Sequence, residues 1–201
     1  MILIGYSGHA FVVHGILASA GKKVTGYCDT EEKAFNPFGL SYQGAETSET
    51  ALQALKQAGF FIAVGDNAIR NRIYDQLAQQ HLLPVNAIHS SAVIDSSASI
   101  ALHGVMIAAH ASINPLAKIG PGVICNTGCI IEHECVVGEF AHIGPGAVLC
   151  GNVQVGNGTF VGANSVIKQG ITVGKNAMIG AGAVVVKDVA DGATVVGVPA
   201  K

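Results

Sequence analysis

A histidine flanked by two acids interrupts a segment of small and apolar residues between positions 125 and 140. In "CNTGCIIEHECVVGEF", Glu132, His133 and Glu134 stand together in a chain that has only 13 acidic residues among 201. A carboxylate beside an imidazole orients the ring and raises its basicity, which is what general-base catalysis requires. The triplet therefore indicates a candidate general base, with an ordinary solvated surface histidine as the alternative.

A second group of candidates lies in the first 70 residues, where short apolar segments end in glycine or aspartate. "GYSGH" (residues 5–9) joins the first apolar segment to a helical one, while Asp29 and "GDN" (residues 65–67) follow the next two. We expect these residues to gather at the carboxyl edge of a parallel sheet, where ligands bind in such folds. Glycines let a ligand approach the backbone, and a helix N-terminus favours phosphate. The pattern predicts a nucleotide site, although Asp29 and Asn67 could instead cap helices or turns.

The elements that must position these residues alternate between strand and helix in the N-terminal part. Strands are predicted in "MILIG", "KVTGYCD" and "FFIAVGD", and helices in "HAFVVHGILASAG", "SETALQALKQAG" and "NAIRNRIYDQLAQQH". Buried strands that alternate with helices predict a small parallel sheet, as in a Rossmann-like α/β domain. We place this domain at residues 1–84, ending at Pro84.

The apolar period becomes six in the rest of the chain. Fourteen successive sixth positions from Ile107 to Val185 are apolar, and Ile88, Ile94 and Ile100 follow the same spacing with one extra residue before Ile107. This is the hexapeptide repeat of a parallel β-helix, in which three hexads close one triangular coil and coils stack. A glycine often follows the apolar residue, and we expect it to relieve corners with positive φ. The second domain is predicted at residues 85–201.

The composition excludes several classes of function. Half of the residues are hydrophobic, only 12% are charged, and the formal net charge of −2 comes without a basic stripe for nucleic acid or anionic lipid. No apolar segment reaches the ~20 residues of a membrane-spanning helix. The five cysteines include no C-x-x-C pair, and Cys125, Cys129 and Cys135 fall on packing positions of the repeat. We expect a cytoplasmic chain with reduced thiols, no membrane insertion, no nucleic-acid partner and no metal.

Five segments that span essentially the whole chain carry a family likeness: "GYSGHA", "FFIAVGDNAIRNRIY", "NAIHSSAVI", "NTGCIIEHECVVGEFAHIGPGAVLCGNV" and "VVGVPAK". Together they resemble the sialic-acid O-acetyltransferase-like group of sugar acyltransferases. The likeness is greatest to the bacillosamine-pathway enzymes that N-acetylate a UDP-linked 4-amino-sugar. The segment "IEHECVVGEF" is the most specific of these elements, because hexads occur in many unrelated acyltransferases.

The resemblance implies a left-handed β-helix, a homotrimer with active sites between subunits, and acetyl-CoA as the donor. It implies that His133 is the general base and that Glu134 polarises it. It also implies that His142 lies near the acetyl carbonyl and that Gly151 offers its backbone N–H to the cofactor. From these roles we expect direct acetyl transfer, without a covalent enzyme intermediate.

The substrate contacts come from two sources. The resemblance assigns Asn126 and Glu132 to the sugar, and it assigns Gly8, His9 and Asp29 to the nucleotide end. The predicted sheet edge adds Gly65 and Asn67. One departure from the family is the segment "CDTEE" after the second strand, where relatives often carry two adjacent acids.

Other functions fit the same scaffold. An O-acetyltransferase acting on sialic acid would use a hydroxyl acceptor, and a dTDP- or GDP-linked amino-sugar could replace the UDP-linked one. A non-catalytic β-helix that binds a metabolite or assembles a complex belongs to a different class. Its metal-binding version, in the style of trimeric carbonic anhydrases, would use histidines from adjacent subunits; the candidates are His103, His110, His133 and His142.

Overall fold

The first 78 residues form a four-stranded parallel sheet with three helices in the computed structural model, which describes residues 1–201. The strands are β1 (Ile2–Ile4), β2 (Gly26–Cys28), β3 (Ser41–Tyr42) and β4 (Phe60–Ile62), and the helices are α1 (Gly8–Ser19), α2 (Glu49–Ala58) and α3 (Asn67–Ala78). The order across the sheet is β3-β2-β1-β4. The predicted α/β domain with a small parallel sheet is confirmed. The edge strand β3 was not expected, because its two residues are too few to show a strand period.

Local signals explain where the helices start and stop. The Ser48 hydroxyl accepts a hydrogen bond from the third N–H of α2 at 3.3 Å, and an Asp66 carboxylate oxygen does the same for α3 at 2.8 Å. Gly59 follows the end of α2 with φ of 67°, a left-handed value that glycine adopts without strain. None of the three helices is long and apolar enough to cross a membrane.

The chain after Pro84 winds through eighteen two-residue strands that form the three faces of a prism. The seven-stranded face contains β5 (Ala87–Ile88), β8 (Met106–Ile107), β11 (Ile124–Cys125), β14 (His142–Ile143), β17 (Phe160–Val161), β20 (Met178–Ile179) and β22 (Thr194–Val195). The six-stranded face contains β6 (Val93–Ile94), β9 (Ser112–Ile113), β12 (Ile130–Ile131), β15 (Val148–Leu149), β18 (Val166–Ile167) and β21 (Val184–Val185). The five-stranded face contains β7 (Ser99–Ile100), β10 (Lys118–Ile119), β13 (Val136–Val137), β16 (Gln154–Val155) and β19 (Thr172–Val173).

The six-residue period is what builds this left-handed parallel β-helix, and the predicted fold class is confirmed. Each strand from β5 to β21 carries the six-spaced apolar residue at its second position, and each of these residues pairs with its equivalent one coil away, as Cys125 does with Ile107 and Ile143. Those residues fill the prism, where 27 buried side chains form one core that includes Cys129 and Cys135. The coils are therefore stabilised by stacking, since no single coil buries its own apolar face.

We expected the glycine that follows each apolar residue to adopt a positive φ at the corner, and this prediction is wrong. Positive φ values occur three positions after the apolar residue instead, for example at Gly122 and Asn152. A Cβ on Gly156, which directly follows Val155, would lie 2.5 Å from the nitrogen of Lys175 and 2.6 Å from the carbonyl carbon of Gly174. Close approach of the next coil therefore selects glycine there, and backbone conformation does not.

The sheet of the N-terminal domain is covered on both sides. On one side, Leu3 and Phe61 join α1 and residues of the seven-stranded face, including Met106, in one apolar cluster. On the other side, α2 and α3 pack over the remaining strand residues. The segment between Ala78 and Ala87 connects the two parts, and the predicted boundary at residue 84 falls within it. The division into residues 1–84 and 85–201 stays a prediction.

Candidate active site

His133 and Glu134 lie in the turn between β12 and β13, at the corner where the six-stranded and five-stranded faces meet. His133 Nδ1 is 3.1 Å from Glu134 Oε2, and the side chain of His133 is 50% exposed. A carboxylate only accepts hydrogen bonds, so Nδ1 carries the hydrogen, and in the neutral ring Nε2 presents a lone pair. Glu134 has φ of 60°, and its N–H donates to the carbonyl of Pro115 at 3.0 Å. This arrangement suits a base that receives a proton from an incoming molecule.

Gly151 stacks one coil away from His133 and touches its ring. A Cβ on Gly151 would lie 2.5 Å from both Cε1 and Nε2 of His133, and no positive φ requires glycine at this position. The Gly151 carbonyl accepts a hydrogen bond from Gly170 at 3.0 Å, whereas its N–H has no acceptor within the chain. A free N–H beside a candidate base is the type of donor that stabilises an oxyanion.

His142 lies on β14 and is nearly buried, with Asn126 beside it on the neighbouring coil. The amide nitrogen of Asn126 is 3.0 Å from His142 Nε2, while the amide oxygen accepts from the Thr127 N–H at 2.8 Å. The Thr127 contact fixes the orientation of the amide, so the NH2 group faces the imidazole. His142 Nε2 therefore accepts a hydrogen bond, and the neutral ring carries its hydrogen on Nδ1.

His9 and His142 face each other across the contact between the two domains, with ring centroids 6.3 Å apart. Burial, followed by the charge of Arg70, lowers the pKa of each imidazole to about 4, so both rings are neutral near pH 7. His9 Nε2 and His142 Nδ1 are buried without a well-aligned hydrogen-bond partner. The carbonyl of Gly65 lies close enough to His142 to oppose its pKa shift slightly.

Arg70 on α3 was missed by sequence reasoning, although it is the largest fully buried side chain of the molecule. All five guanidinium N–H groups are used, and no acceptor is a carboxylate: they donate to the carbonyls of Gly122 (2.8 Å), Val64 (3.1 Å), Gly65 (3.0 Å) and Phe140 (2.8 Å) and to Asn67 Oδ1 (2.9 Å). Burial lowers the pKa of Arg70 to about 10, so the group stays charged. The available signal was helical spacing, because the buried stripe of Ile73 and Leu77 continues to Arg70.

The carboxyl edge of the N-terminal sheet forms a cavity of about 430 Å³ that brings together Gly5, Ser7, Asp29 and Gly65. The carboxylate of Asp29 accepts from the N–H groups of Tyr6 at 2.9 Å and Thr30 at 2.8 Å. Burial acts to raise the pKa of Asp29, but these donors and a lysine 3.1 Å away outweigh it and the pKa is lowered. Asp29 thus ties the loop after β2 to the loop between β1 and α1, and its contact with a nucleotide stays a prediction. No side chain caps the start of α1, so the first N–H groups of that helix are free for an anion.

A larger cavity of about 1,110 Å³ lies between α3 and the corner where the five-stranded and seven-stranded faces meet. His142 and Phe160 line it, and Gly65 lines both cavities, which makes the two neighbours. The Asn67 amide donates to the carbonyls of Gly158 at 2.9 Å and Thr159 at 3.3 Å, so it ties α3 to the β-helix. Its predicted contact with substrate stays a prediction.

The predicted site residues fall into two groups within one chain. Those around the two cavities are Gly8, His9, Asp29, Gly65, Asn67, Asn126 and His142, although neither cavity is lined by Gly8, His9 or Asn126 themselves. Glu132, His133, Glu134 and Gly151 belong to the other corner of the five-stranded face. No set of three or more His, Cys, Asp or Glu side chains is arranged to hold a metal ion.

Comparison with known proteins matches both parts of the chain. Residues 1–77 match the PglD N-terminal domain, and residues 152–187 match the bacterial transferase hexapeptide (six repeats). A histidine-to-asparagine variant of perosamine N-acetyltransferase from Caulobacter crescentus, in complex with CoA and GDP-perosamine, is 35% identical with a TM-score of 0.91, over 100% of this chain and 94% of that one.

Two further solved structures extend the comparison. The acetyltransferase domain of PglB from Neisseria gonorrhoeae, in complex with acetyl coenzyme A, is 33% identical with a TM-score of 0.92, over 100% of this chain and 97% of that one. WeeI from Acinetobacter baumannii shares the fold at 23% identity and a TM-score of 0.84, over 100% and 97% of the two chains. The matched domains and full-length similarity show that this chain belongs to the hexapeptide-repeat family of sugar N-acetyltransferases.

Proposed function

We propose that this enzyme transfers an acetyl group from acetyl-CoA to the 4-amino group of a nucleotide-linked 4-amino-4,6-dideoxysugar, with His133 as the general base. The observation that carries the choice of base is the 3.1 Å hydrogen bond from His133 Nδ1 to Glu134. It leaves Nε2 free at an exposed corner, next to the free N–H of Gly151. The CoA and GDP-perosamine bound to the 35% identical relative support this donor and this class of acceptor.

The proposed chemistry needs one base and one oxyanion donor. The neutral sugar amine attacks the thioester carbonyl carbon, a C–N bond forms, and the π electrons move to oxygen. His133 Nε2 takes the proton that the attacking nitrogen loses, and Glu134 stabilises the resulting imidazolium. The Gly151 N–H donates to the oxyanion, a contribution of roughly 3–4 kcal/mol where such donors have been removed. The C–S bond then breaks, and the proton on His133 passes to the departing CoA sulfur.

The two cavities suggest how the acceptor is held. We propose that the nucleotide occupies the smaller cavity near Asp29, with its diphosphate at the uncapped N-terminus of α1, where Gly8 and His9 lie. The sugar then extends past Gly65 toward the larger cavity. UDP is the first nucleotide to test because of the bacillosamine-pathway likeness, and GDP is the second because of the ligand in the relative from Caulobacter crescentus.

A second copy of the chain would complete the site, and the six-stranded face offers a surface for it. Its strands present their first residues outward, and five of these six residues are apolar: Val93, Ile130, Val148, Val166 and Val184. The N-terminal domain packs on the seven-stranded face instead, over its strands β5, β8 and β11. His133 lies at the edge of this uncovered apolar face. We therefore propose a homotrimer in which His133 of one subunit reaches the cavities of its neighbour.

The deciding experiment follows CoA thiol release from acetyl-CoA with UDP-, GDP- and dTDP-linked 4-amino-4,6-dideoxysugars and with free sialic acid. Turnover with one amino-sugar nucleotide, abolished in His133→Asn, is the expected result. His110→Asn is the matched control, because His110 is an exposed histidine on a corner with φ of 58°, which asparagine tolerates. Turnover with sialic acid alone would identify an O-acetyltransferase. A His133→Asn trimer that keeps near-normal turnover would refute the assigned base.

The proposed trimer has its own test in the molar mass measured by light scattering during gel filtration. Val148→Lys places a charge on the apolar six-stranded face and should yield monomers without activity. Gln154→Lys is the control, because Gln154 occupies the equivalent outward position on the polar five-stranded face. A Val148→Lys protein that stays trimeric would assign the subunit contact to a different face.

A further inference from the structure

We propose that Arg70 is a positioning residue, which holds His142 and Asn126 in fixed geometry relative to the nucleotide end of the acceptor site. The inference rests on the proposed function. Arg70 lies at the joint between the N-terminal domain and the β-helix, and its side chain is 1% exposed. It touches neither cavity, so it acts through the backbone that it binds.

The contacts on the β-helix side reach the two coils that present the site. Arg70 Nε donates to the Gly122 carbonyl and Nη2 to the Phe140 carbonyl, both at 2.8 Å. These carbonyls belong to stacked corners one coil apart. Phe140 precedes His142 by two residues, and Gly122 precedes Asn126 by four. One guanidinium plane therefore sets the spacing of both corners, and the hydrogen bond between Asn126 and His142 depends on that spacing.

The contacts on the other side reach the loop that follows β4. Arg70 Nη1 donates to the carbonyls of Val64 at 3.1 Å and Gly65 at 3.0 Å. Gly65 lines both cavities, and its carbonyl also lies near His142. The remaining Nη2 hydrogen goes to Asn67 Oδ1 at 2.9 Å, on the residue that donates to Gly158. The planar guanidinium thus joins Gly65, at the edge of both cavities, to the corners that carry Asn126 and His142.

The absence of a carboxylate partner argues against a role in stability alone. Removing a charged group from water is costly, and an apolar side chain of similar volume often stabilises a protein as well or better. The five N–H donors of the guanidinium lie in one rigid plane, so they fix the distance between backbone carbonyls of the two domains. An apolar side chain cannot do this. The Arg70 charge also adds to the effect of burial in keeping His9 and His142 neutral.

The kinetic test compares Arg70→Lys and Arg70→Met with the wild-type enzyme. We expect kcat to fall roughly 100-fold in each, because the family resemblance places His142 near the acetyl carbonyl and a displacement of about 1 Å at such a group has that effect. KM for both substrates should stay within about twofold, since Arg70 contacts neither cavity. Tyr74→Leu is the matched control: Tyr74 is on the same helix and packs edge-on against Phe140, with ring centroids 5.2 Å apart. It should lower the melting temperature and leave kcat unchanged.

A second readout does not depend on the substrate. Ring nitrogen NMR of histidine-labelled protein, with the His142 signals assigned by His142→Asn, reports whether Nδ1 carries the hydrogen. We expect that tautomer in the wild type and a mixture in Arg70→Lys. Unchanged His142 signals in both folded Arg70 variants, or a kcat equal to that of Tyr74→Leu, would overturn the inference. A wild type inactive on every acceptor, with the expected NMR change, would refute the proposed function and leave the positioning role standing.

Discussion

Gly151→Ala isolates the contact between the oxyanion candidate and the base. The added Cβ would lie 2.5 Å from His133 Cε1 and Nε2, whereas ordinary contacts begin at 3.4 Å. The ring must therefore move by about 0.9 Å, the difference between these two distances. A displacement of that size at a catalytic group costs roughly 100-fold in rate. The ring is half exposed and free to turn away, so the melting temperature should hardly change.

The assay is steady-state CoA release with the acceptor that the panel identifies, with kcat and KM measured separately. Gly15→Ala is the control, because Gly15 is in α1, a Cβ there meets nothing within 4 Å, and alanine favours the helix by about 1 kcal/mol. It should raise the melting temperature and leave kcat unchanged. A Gly151→Ala enzyme with kcat within twofold of the wild type would show that the ring position does not govern the reaction.

Three further predictions concern the buried histidines and the coils. Because the fold lowers the pKa of His9 and His142 from 6.5 to about 4, the unfolded chain binds more protons between these values. The free energy of unfolding should therefore fall by up to about 3 kcal/mol per histidine as the pH drops from 6.5 to 4, which urea titrations at pH 7 and pH 4.5 would detect; a pH-independent midpoint contradicts it. Asn126→Asp should raise the pKa of His142, since a carboxylate accepts only from a protonated Nε2, and should lower kcat; an NMR titration that still gives about 4 contradicts it. Gly156→Ala should lower the melting temperature more than Gly182→Ala. The added Cβ at residue 156 would collide with the backbone of the next coil, whereas at residue 182 it meets open space and only the φ of 69° is strained. A thermal scan that gives the reverse order would contradict the conclusion that close stacking of coils requires glycine after the apolar residue.

Much of the fold was readable because its period is unusual. A six-residue repeat points one apolar side chain per strand inward, and the stacked coils bury every one of these residues from Ile107 to Val185, with Ile88, Ile94 and Ile100 partly buried against the end of the core. The role of the glycines was not readable. The sequence shows that glycine follows the apolar residue, but only the stacked coils show that a Cβ on Gly156 would strike the backbone of Lys175.

The candidate site also has features that the sequence shows and features that only the structure shows. The adjacency of His133 and Glu134 is local, so the sequence alone could pair them, and the structure gives the 3.1 Å contact. The pairing of Asn126 with His142 joins two coils, and the facing of His9 and His142 joins two domains. Helical spacing could have indicated that Arg70 is buried, but not what it binds, because four of its acceptors are backbone carbonyls, which every residue type supplies equally.

The sequence by itself determined the repeat, the strand and helix alternation before it, and the acid–histidine–acid triplet, because each depends on residues that are close in the chain. Only the tertiary structure decided that His9 faces His142, that Asn67 and Arg70 join the domains, and that one face of the prism stays apolar and uncovered. The physical reason is that these features depend on which coil stacks on which and on how the α/β sheet docks. The distances between side chains on different coils and in different domains are set by packing between segments that are far apart in the chain. The spacing of residues along the sequence does not determine them.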